Sequence, residues 1–329
     1  MPGQPETGKE YIQPNEEQDI DIIIDTIIQY LKKTYPSGNT LRQFHAKMHG
    51  FVEAVFKVDD NLPPNIQHGF LQAGKSYKTW IRFSNGNAKI VDDRKGDLRG
   101  MAIKLLDVPG DMLVQDEASP QSQDILLVSY PTLMTPDVAG FKANINALCG
   151  GLIGVIKFGI NPFNWPTLIR TLQSMKKMNN LFNQQYWSVS PSRLGTTDQA
   201  IKYSVAPASK PTILQPNKKS PHFLRDVMQE ELNQQDFLFH FMIQFQEDAV
   251  SMPIENPCVE WKSPWIKVAE ITIPRQVFNT AARDALGENA SYSPWHSLAA
   301  HQPLGGVSRA RKKAYAAIAA YRLQNNQNL

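Results

Sequence analysis

A tyrosine and two arginines near the C-terminus carry the most distinctive chemistry in the chain. The segment 308–322 reads Ser-Arg-Ala-Arg-Lys-Lys-Ala-Tyr-Ala-Ala-Ile-Ala-Ala-Tyr-Arg, with Arg311, Tyr315 and Arg322 four and then seven residues apart. On a helix that spacing puts all three on one face. The segment is Ala-rich, follows the breaker Pro303-Leu-Gly-Gly306 and offers Ser308 as an N-cap, so a helix is expected. A fixed cation one turn from a phenol favours the phenolate, which otherwise needs a pH near ~10 to form. A phenolate is a hard anionic ligand suited to ferric iron, including the iron of a haem. The same residues would equally make a basic surface helix whose tyrosine packs on the core, and the segment alone does not choose.

Two stretches in the N-terminal half hold complementary groups. His45, in Arg42-Gln-Phe-His45, is a base of the kind needed above such an iron, able to take one proton from a peroxide and return it to the departing oxygen. Arg42, three residues away, is suited to a haem propionate. In Thr79-Trp-Ile-Arg-Phe-Ser-Asn85, strand periodicity places Arg82 and Ser84 on one face. Arg82 can serve a second propionate, and Ser84 can hydrogen-bond the far nitrogen of His45 and fix its tautomer. Taken singly, each has a plain reading: a structural histidine, and an edge strand with an exposed Arg and Ser.

The elements that must position these groups follow from the hydrophobic pattern. Residues 1–18 read as a flexible polar arm, and 19–329 as a single domain. Ile20–Tyr35 carries an apolar helical face with Lys32-Lys33 at its C-terminal end. Short β-rich runs follow at His49–Val58, Ser76–Ser84, Gly100–Leu106 and Asp124–Val128, separated by turns such as Asn85-Gly86-Asn87. Thr135-Pro136-Asp137 opens a helical region that Asn161–Pro166 divides, with a further helix expected over Thr167–Asn183. Strand character returns at Ala200–Val205, Phe237–Phe245 and Trp265–Ile273, with a helix at Phe223–Asn233 between them and a loop over Pro294–Gly306. Strands on both sides of the central helices predict one α+β domain with a helical insertion.

Composition excludes several functions. The 329 residues are 42% hydrophobic and 20% charged, an ordinary globular balance, and the net charge of +3 is scattered rather than clustered. No nucleic-acid partner is expected, and no Cys/His zinc pattern or Gly-rich phosphate loop occurs. Cys149 and Cys258, far apart in sequence, imply no disulfide framework and suggest a reducing, cytoplasmic setting. The N-terminal residues lack a signal-peptide pattern, and no apolar run reaches the ~18–20 residues of a membrane span. The segment 141–177 is apolar with Lys157, Arg170, Lys176 and Lys177 interspersed. It reads either as helices packing on a barrel or as a greasy entry for a lipid hydroperoxide with peripheral membrane contact.

Taken together, Arg42-x-x-His45-Ala-Lys, Ile81-Arg-Phe-Ser-Asn85, Leu98-Arg-Gly-Met-Ala-Ile-Lys104 and Arg311-x-x-x-Tyr315-x6-Arg322 resemble the catalase superfamily in order and spacing. The resemblance is co-linear over about residues 40–322 and extends through Pro131–Asp137, Leu194–Lys202 and Phe239–Gln246. The chain stops soon after the Tyr315 helix, without a long C-terminal helical portion, and so looks like the small catalase-related haem proteins. That resemblance implies a catalase-like antiparallel β-barrel with a helical insertion and a C-terminal proximal helix, holding haem b. It implies His45 as the distal histidine with Ser84 as its partner, and Tyr315 as the iron ligand held as phenolate by Arg311. Arg42, Arg82 and Arg322 become the propionate partners.

Three departures stand out. Ser129 occupies the place of the asparagine usual on the distal face, Phe44 replaces the valine before the distal histidine, and Ala and Lys surround the tyrosine. Disproportionation needs a second hydrogen peroxide held on the distal side, and loss of one positioned donor costs ~10–10³ in rate. The expectation is therefore weak catalase activity with stronger peroxidase or organic-hydroperoxide activity, drawing on an electron donor that the sequence does not name. A fatty-acid hydroperoxide isomerase of the allene-oxide-forming kind is the nearest enzymatic alternative, though Phe44 does not favour it. A haem-storage protein is the alternative from another class. A homodimer is an open arrangement. His49, His68, His222, His240, His296 and His301, like the two cysteines, have no assigned role.

Overall fold

The computed structural model describes residues 4–36, 40, 42–114, 121–196 and 198–326. Its centre is a closed antiparallel barrel formed by eight strands: β1 (Met48–Val58), β2 (Ser76–Asn85), β3 (Arg99–Leu106), β4 (Ser122–Val128), β5 (Tyr186–Trp187), β7 (Ala200–Pro207), β8 (Phe237–Phe245) and β9 (Trp265–Ile273). The ring runs β4-β3-β2-β1-β9-β8-β7 and is closed by β5, which pairs with both β4 and β7. The short β6 (Ser192–Arg193) adds to β7 outside the ring. Seven α-helices occur among the described residues, so the expected α+β barrel with a helical insertion and a C-terminal helix is what is found.

Alternation along each strand builds the core. In β8, Phe237, Phe239, Phe241 and Ile243 are fully buried, and in β2 Tyr77, Ile81 and Phe83 join the same cluster. Aromatic pairs fill the interior: Phe56 meets Phe241 edge-on at 4.9 Å and Phe182 stacks on Phe237 at 4.6 Å. The opposite face of β2, carrying Trp80, Arg82 and Ser84, therefore points out of the barrel.

α1 (Glu16–Thr34) buries Ile20, Ile23, Ile27 and Leu31, and these pack in one cluster with Val138 and Ile145 of α2 (Val138–Cys149) and Ala310 of α7 (Gly306–Asn326). α1 begins four residues before the hydrophobic pattern suggested, so residues 16–18 are helical rather than part of an arm. The polar first turn is held because Glu16, though charged, is buried against Arg309. Asp137 caps α2, accepting from the Gly140 N–H at 2.7 Å. Gly151, at φ 61, lets the chain turn sharply into α3 (Gly151–Ile160). A 3₁₀ turn then leads into α4 (Trp165–Ser174).

α4 ends nine residues short of the expected Asn183. Lys176 leaves the helix to bridge Asp97, and Asn180 is drawn to Glu231 at 2.8 Å on α5 (Phe223–Gln234), so tertiary partners outcompete the helical pattern. α6 (Ala281–Asn289) was not anticipated; Thr280 caps it by accepting from the Arg283 N–H at 3.2 Å.

Candidate active site on the outer face of β2

His45 sits in the loop just before β1, with its backbone at φ 59, a left-handed conformation that is sparsely populated for any residue with a side chain. Three bonds hold it there. The His45 N–H donates to Gly86 O at 3.3 Å, the Ala46 N–H to Asn87 O at 3.3 Å, and Arg82 Nη1 to His45 O at 3.0 Å. The His45 ring places Nδ1 3.0 Å from Ser84 Oγ, the pairing expected from the sequence.

The register of the barrel completes this arrangement, because Ser84 of β2 lies opposite Gly100 of β3. A Cβ at Gly100 would stand 2.6 Å from His45 Nδ1 and 2.9 Å from Ser84 Oγ, so the imidazole occupies the space a side chain would fill. Burial, reinforced by the positive charges of Arg82, Arg311 and Arg42, lowers the His45 pKa to about 4. His45 is thus a neutral base at ordinary pH.

The influence of Arg311 on His45 brings α7 to the same place. On that helix Arg311 Nη2 donates to Tyr315 Oη at 3.2 Å, and the guanidinium lies 5.3 Å from the centre of the phenol ring. A charged donor aimed at this oxygen is the support that a metal-bound phenolate requires. The start of the helix differs from expectation: Ser308 lies inside the first turn rather than at the N-cap, and its hydroxyl is buried without a partner among the described residues. Carboxylates cap the helix instead, Glu10 accepting from the Gly305 N–H at 2.8 Å and Glu255 from the Gly306 N–H at 2.7 Å. Both carboxylates, with Glu16, also pair with Arg309.

The remaining three arginines converge on the end of α6. Arg42 binds Glu288 Oε2 at 2.9 Å and the carbonyls of Gly287, Glu288 and Ala290. Arg82 reaches Glu288 Oε1 at 3.4 Å, and Arg322 Nη1 reaches Glu288 O at 3.4 Å. Glu288 is the carboxylate that sequence reasoning missed; the Thr280 cap followed by Ala-Ala-Arg-Asp-Ala-Leu was the signal for its helix. Burial and mutual repulsion lower Arg82 to about 9 and Arg322 to about 10. Arg82 Nε is buried without an acceptor among the described residues. Three guanidiniums gathered around one carboxylate, which pairs directly with Arg42 and Arg82 alone, leave this corner short of negative charge.

Ser129 and Phe44 lie beside the site rather than reaching into its centre. Ser129 Oγ accepts from the Arg99 N–H at 2.9 Å, and the Ser129 N–H donates to Arg99 O at 2.8 Å, so the hydroxyl is tied to the strand next to Gly100. Phe44 packs on the α1–α2–α7 cluster with Phe141 and Tyr321. Behind the site lies a buried network that the sequence did not reveal. His49 Nε2 is 2.5 Å from Asn85 Oδ1, Arg99 binds the same oxygen, and Asp93 pairs with Lys47 at 2.6 Å.

Several of the other unassigned groups make structural contacts. His301 joins Tyr203 Oη at 3.0 Å to His68 O at 2.9 Å, and His296 meets Asp124 at 3.1 Å. Both cysteines are free; Cys149 accepts from Gln43 and Cys258 donates to Leu133 O. Burial raises both thiols, Cys149 to about 11. Among the described residues no cluster of three or more His, Cys, Asp or Glu is placed to hold a metal ion.

Among solved structures, catalase A from Saccharomyces cerevisiae superposes with a TM-score of 0.69 at 18% identity, over 98% of this chain and 68% of that one. The fold is catalase-like. A bacterial catalase gives a TM-score of 0.59 at 14% identity over 90% of this chain, and a fungal catalase 0.60 at 14% over 98%. The catalase-like chain spans 60% and 66% of the length of those two proteins. No protein-family model and no curated protein matches it.

Proposed function

We propose that this chain is a haem-dependent enzyme that acts on peroxides, with organic hydroperoxides or peroxidase substrates favoured over hydrogen peroxide disproportionation. One observation carries the reading. A neutral, Ser84-backed histidine shares a site with an arginine-supported tyrosine and with three guanidiniums gathered on Glu288, two of them on its single carboxylate and the third on its backbone carbonyl.

The donor set fits haem b. Tyr315 offers one anionic oxygen, and no side-chain cluster supplies further ligands, so a metal there needs to arrive in its own chelate. Arg42, Arg82 and Arg322 lack negative charge, which two propionates supply. Bound there, haem provides iron chemistry for cleaving the O–O bond. The chain's own part is proton handling. With Nδ1 keeping its hydrogen and donating to Ser84 Oγ, His45 Nε2 accepts the peroxide proton and returns it to the departing oxygen. Arg311 donates to Tyr315 Oη, where it would support a phenolate bound to the iron. The preference among peroxides rests on Ser129: its hydroxyl is tied to Arg99, and no asparagine amide stands there to hold a second hydrogen peroxide.

The test presents the haem-loaded protein with hydrogen peroxide and a lipid hydroperoxide side by side, with and without a reductant. Reductant-dependent loss of the lipid hydroperoxide, with little oxygen evolution, is the expected result. Conversion without reductant makes the protein an isomerase. Haem binding with no turnover of either peroxide leaves only a storage role and refutes the proposal.

A further inference from the structure

α3 and α4, joined by a 3₁₀ turn, form a segment whose polarity is reversed relative to water. α4 buries Thr167 and Ser174 while Trp165, Ile169 and Leu172 face outward, and α3 buries only Phe158. Leu152 is 77% exposed, Leu172 72% and Phe163, at the turn between the helices, 90%. Contiguous apolar surface of this kind on a folded domain marks an interaction face.

The charge around this segment indicates what covers it. Between Asp137 and Asp198 the sequence carries six Lys or Arg and no Asp or Glu, in a chain with 31 acidic residues. Lys142 is engaged by Asp19 of α1, and Arg170 donates to Met134 O. Lys157, Lys176 and Lys177 are exposed, with no ion pair among the described residues. A second copy docked face to face would set these cations against their own equivalents, a repulsive arrangement. A surface of anionic headgroups over hydrocarbon complements both the lysines and the apolar side chains.

We propose that α3 and α4 are a peripheral membrane-docking face that seats in the interfacial layer of an anionic bilayer. Ten residues of helix extend only ~15 Å, and no helix among the described residues is long and apolar enough to cross a membrane, so the segment lies in the surface. Trp165 donates its indole N–H to Gly159 O at 2.9 Å, so the ring enters the headgroup boundary with its polar atom already bonded. This face is independent of the haem proposal and stands or falls separately.

The test is co-sedimentation of the full chain with phosphatidylcholine vesicles and with equimolar phosphatidylcholine–phosphatidylglycerol vesicles, followed by sedimentation velocity without lipid. The wild type is expected to bind the anionic vesicles, less so in high salt. Phe163→Asp with Leu172→Asp should cut the partition by on the order of tenfold or more. Lys157→Glu, Lys176→Glu and Lys177→Glu should each cut it about fivefold for anionic vesicles alone. Wild-type melting temperatures identify variants that remain folded. Vesicle binding unchanged by either set overturns the proposal. So does absence of vesicle binding, whether the protein is monomeric or forms a dimer that Phe163→Asp disrupts; in the latter case the face joins two copies.

Discussion

Replacing Gly100 by alanine tests whether the position of His45, rather than its mere presence, governs the chemistry. Strands tolerate alanine at least as well as glycine, so the backbone gives no reason for loss. The obstacle is the imidazole: the new Cβ would stand 2.6 Å from Nδ1 and 2.7 Å from Cε1. Ordinary contact begins near 3.4 Å, so the ring must retreat by about 0.8 Å. It cannot retreat by shifting its backbone without breaking the bonds to Gly86 O and from Arg82. It moves instead by giving up Ser84 Oγ, which the same Cβ crowds at 2.9 Å. The stability cost is about 1–3 kcal/mol, as for overpacking elsewhere. The rate cost is larger, since misplacing a catalytic group by about an ångström costs on the order of 10²-fold. Stopped-flow mixing of the haem-loaded Gly100→Ala variant with peroxide measures the first step directly, and Ser84→Ala provides a variant that loses the hydrogen bond without the clash. A wild-type rate in Gly100→Ala, with haem content and melting temperature preserved, would refute the reasoning.

Further outcomes are expected. Tyr315→Phe keeps the helix, as far-UV circular dichroism will show, but removes the tyrosinate absorption of the loaded protein and at least ~10²-fold of its turnover; a native haem spectrum in this variant contradicts the iron-ligand assignment. Because burial and neighbouring cations hold the His45 pKa near 4, its neutral form and the activity it supports should persist in acid, with the acid limb of the rate profile near that value rather than near 6.5. The stability linkage has the matching sign: His45 and His301 stay neutral in the fold to about 4 while the unfolded chain protonates near 6.5, so melting temperature should fall as pH drops through that window. Glu288→Gln removes the carboxylate shared by Arg42 and Arg82 and should destabilise the haem-free protein by about 1 kcal/mol while leaving the loaded protein unchanged; equal losses in both states argue against propionates at these arginines. Ser129→Asn should raise oxygen evolution from hydrogen peroxide by ~10–10³-fold, and a variant no better than wild type disposes of the explanation for weak dismutation.

The features legible in the sequence are those set by short-range periodicity. The alternation of Phe237, Phe239 and Phe241 marked β8 with its observed bounds, and a period of two placed Arg82 and Ser84 on the face that meets His45. The spacing of four brought Arg311 to Tyr315. What remained hidden depends on residues distant in sequence. Glu288 meets Arg42 across 246 positions and Arg82 across 206, and no local pattern announces such a pairing. Gly100 reads as an ordinary strand glycine until the register sets it against His45. The α7 cap was misplaced for the same reason, because carboxylates of Glu10 and Glu255 took the work that the nearby Ser308 seemed suited for. α4 stopped early because Lys176 found a partner in Asp97. The polarity of α3 and α4 was visible as composition, but which side chains face outward was not.

The carboxylates gathered on Arg309 tie together parts of the chain that fold far apart in time. Glu10 and Glu16 come from its beginning, Glu255 from the loop between β8 and β9, and Arg309 from the helix that carries Tyr315. The charges of Glu10 and Glu16 are therefore matched only after the roughly 300 residues up to Arg309 have been made. Until then, the tyrosine helix has no anchored start. Docking of the Tyr315 helix is thereby placed late in assembly, after the strands that position His45 have been made.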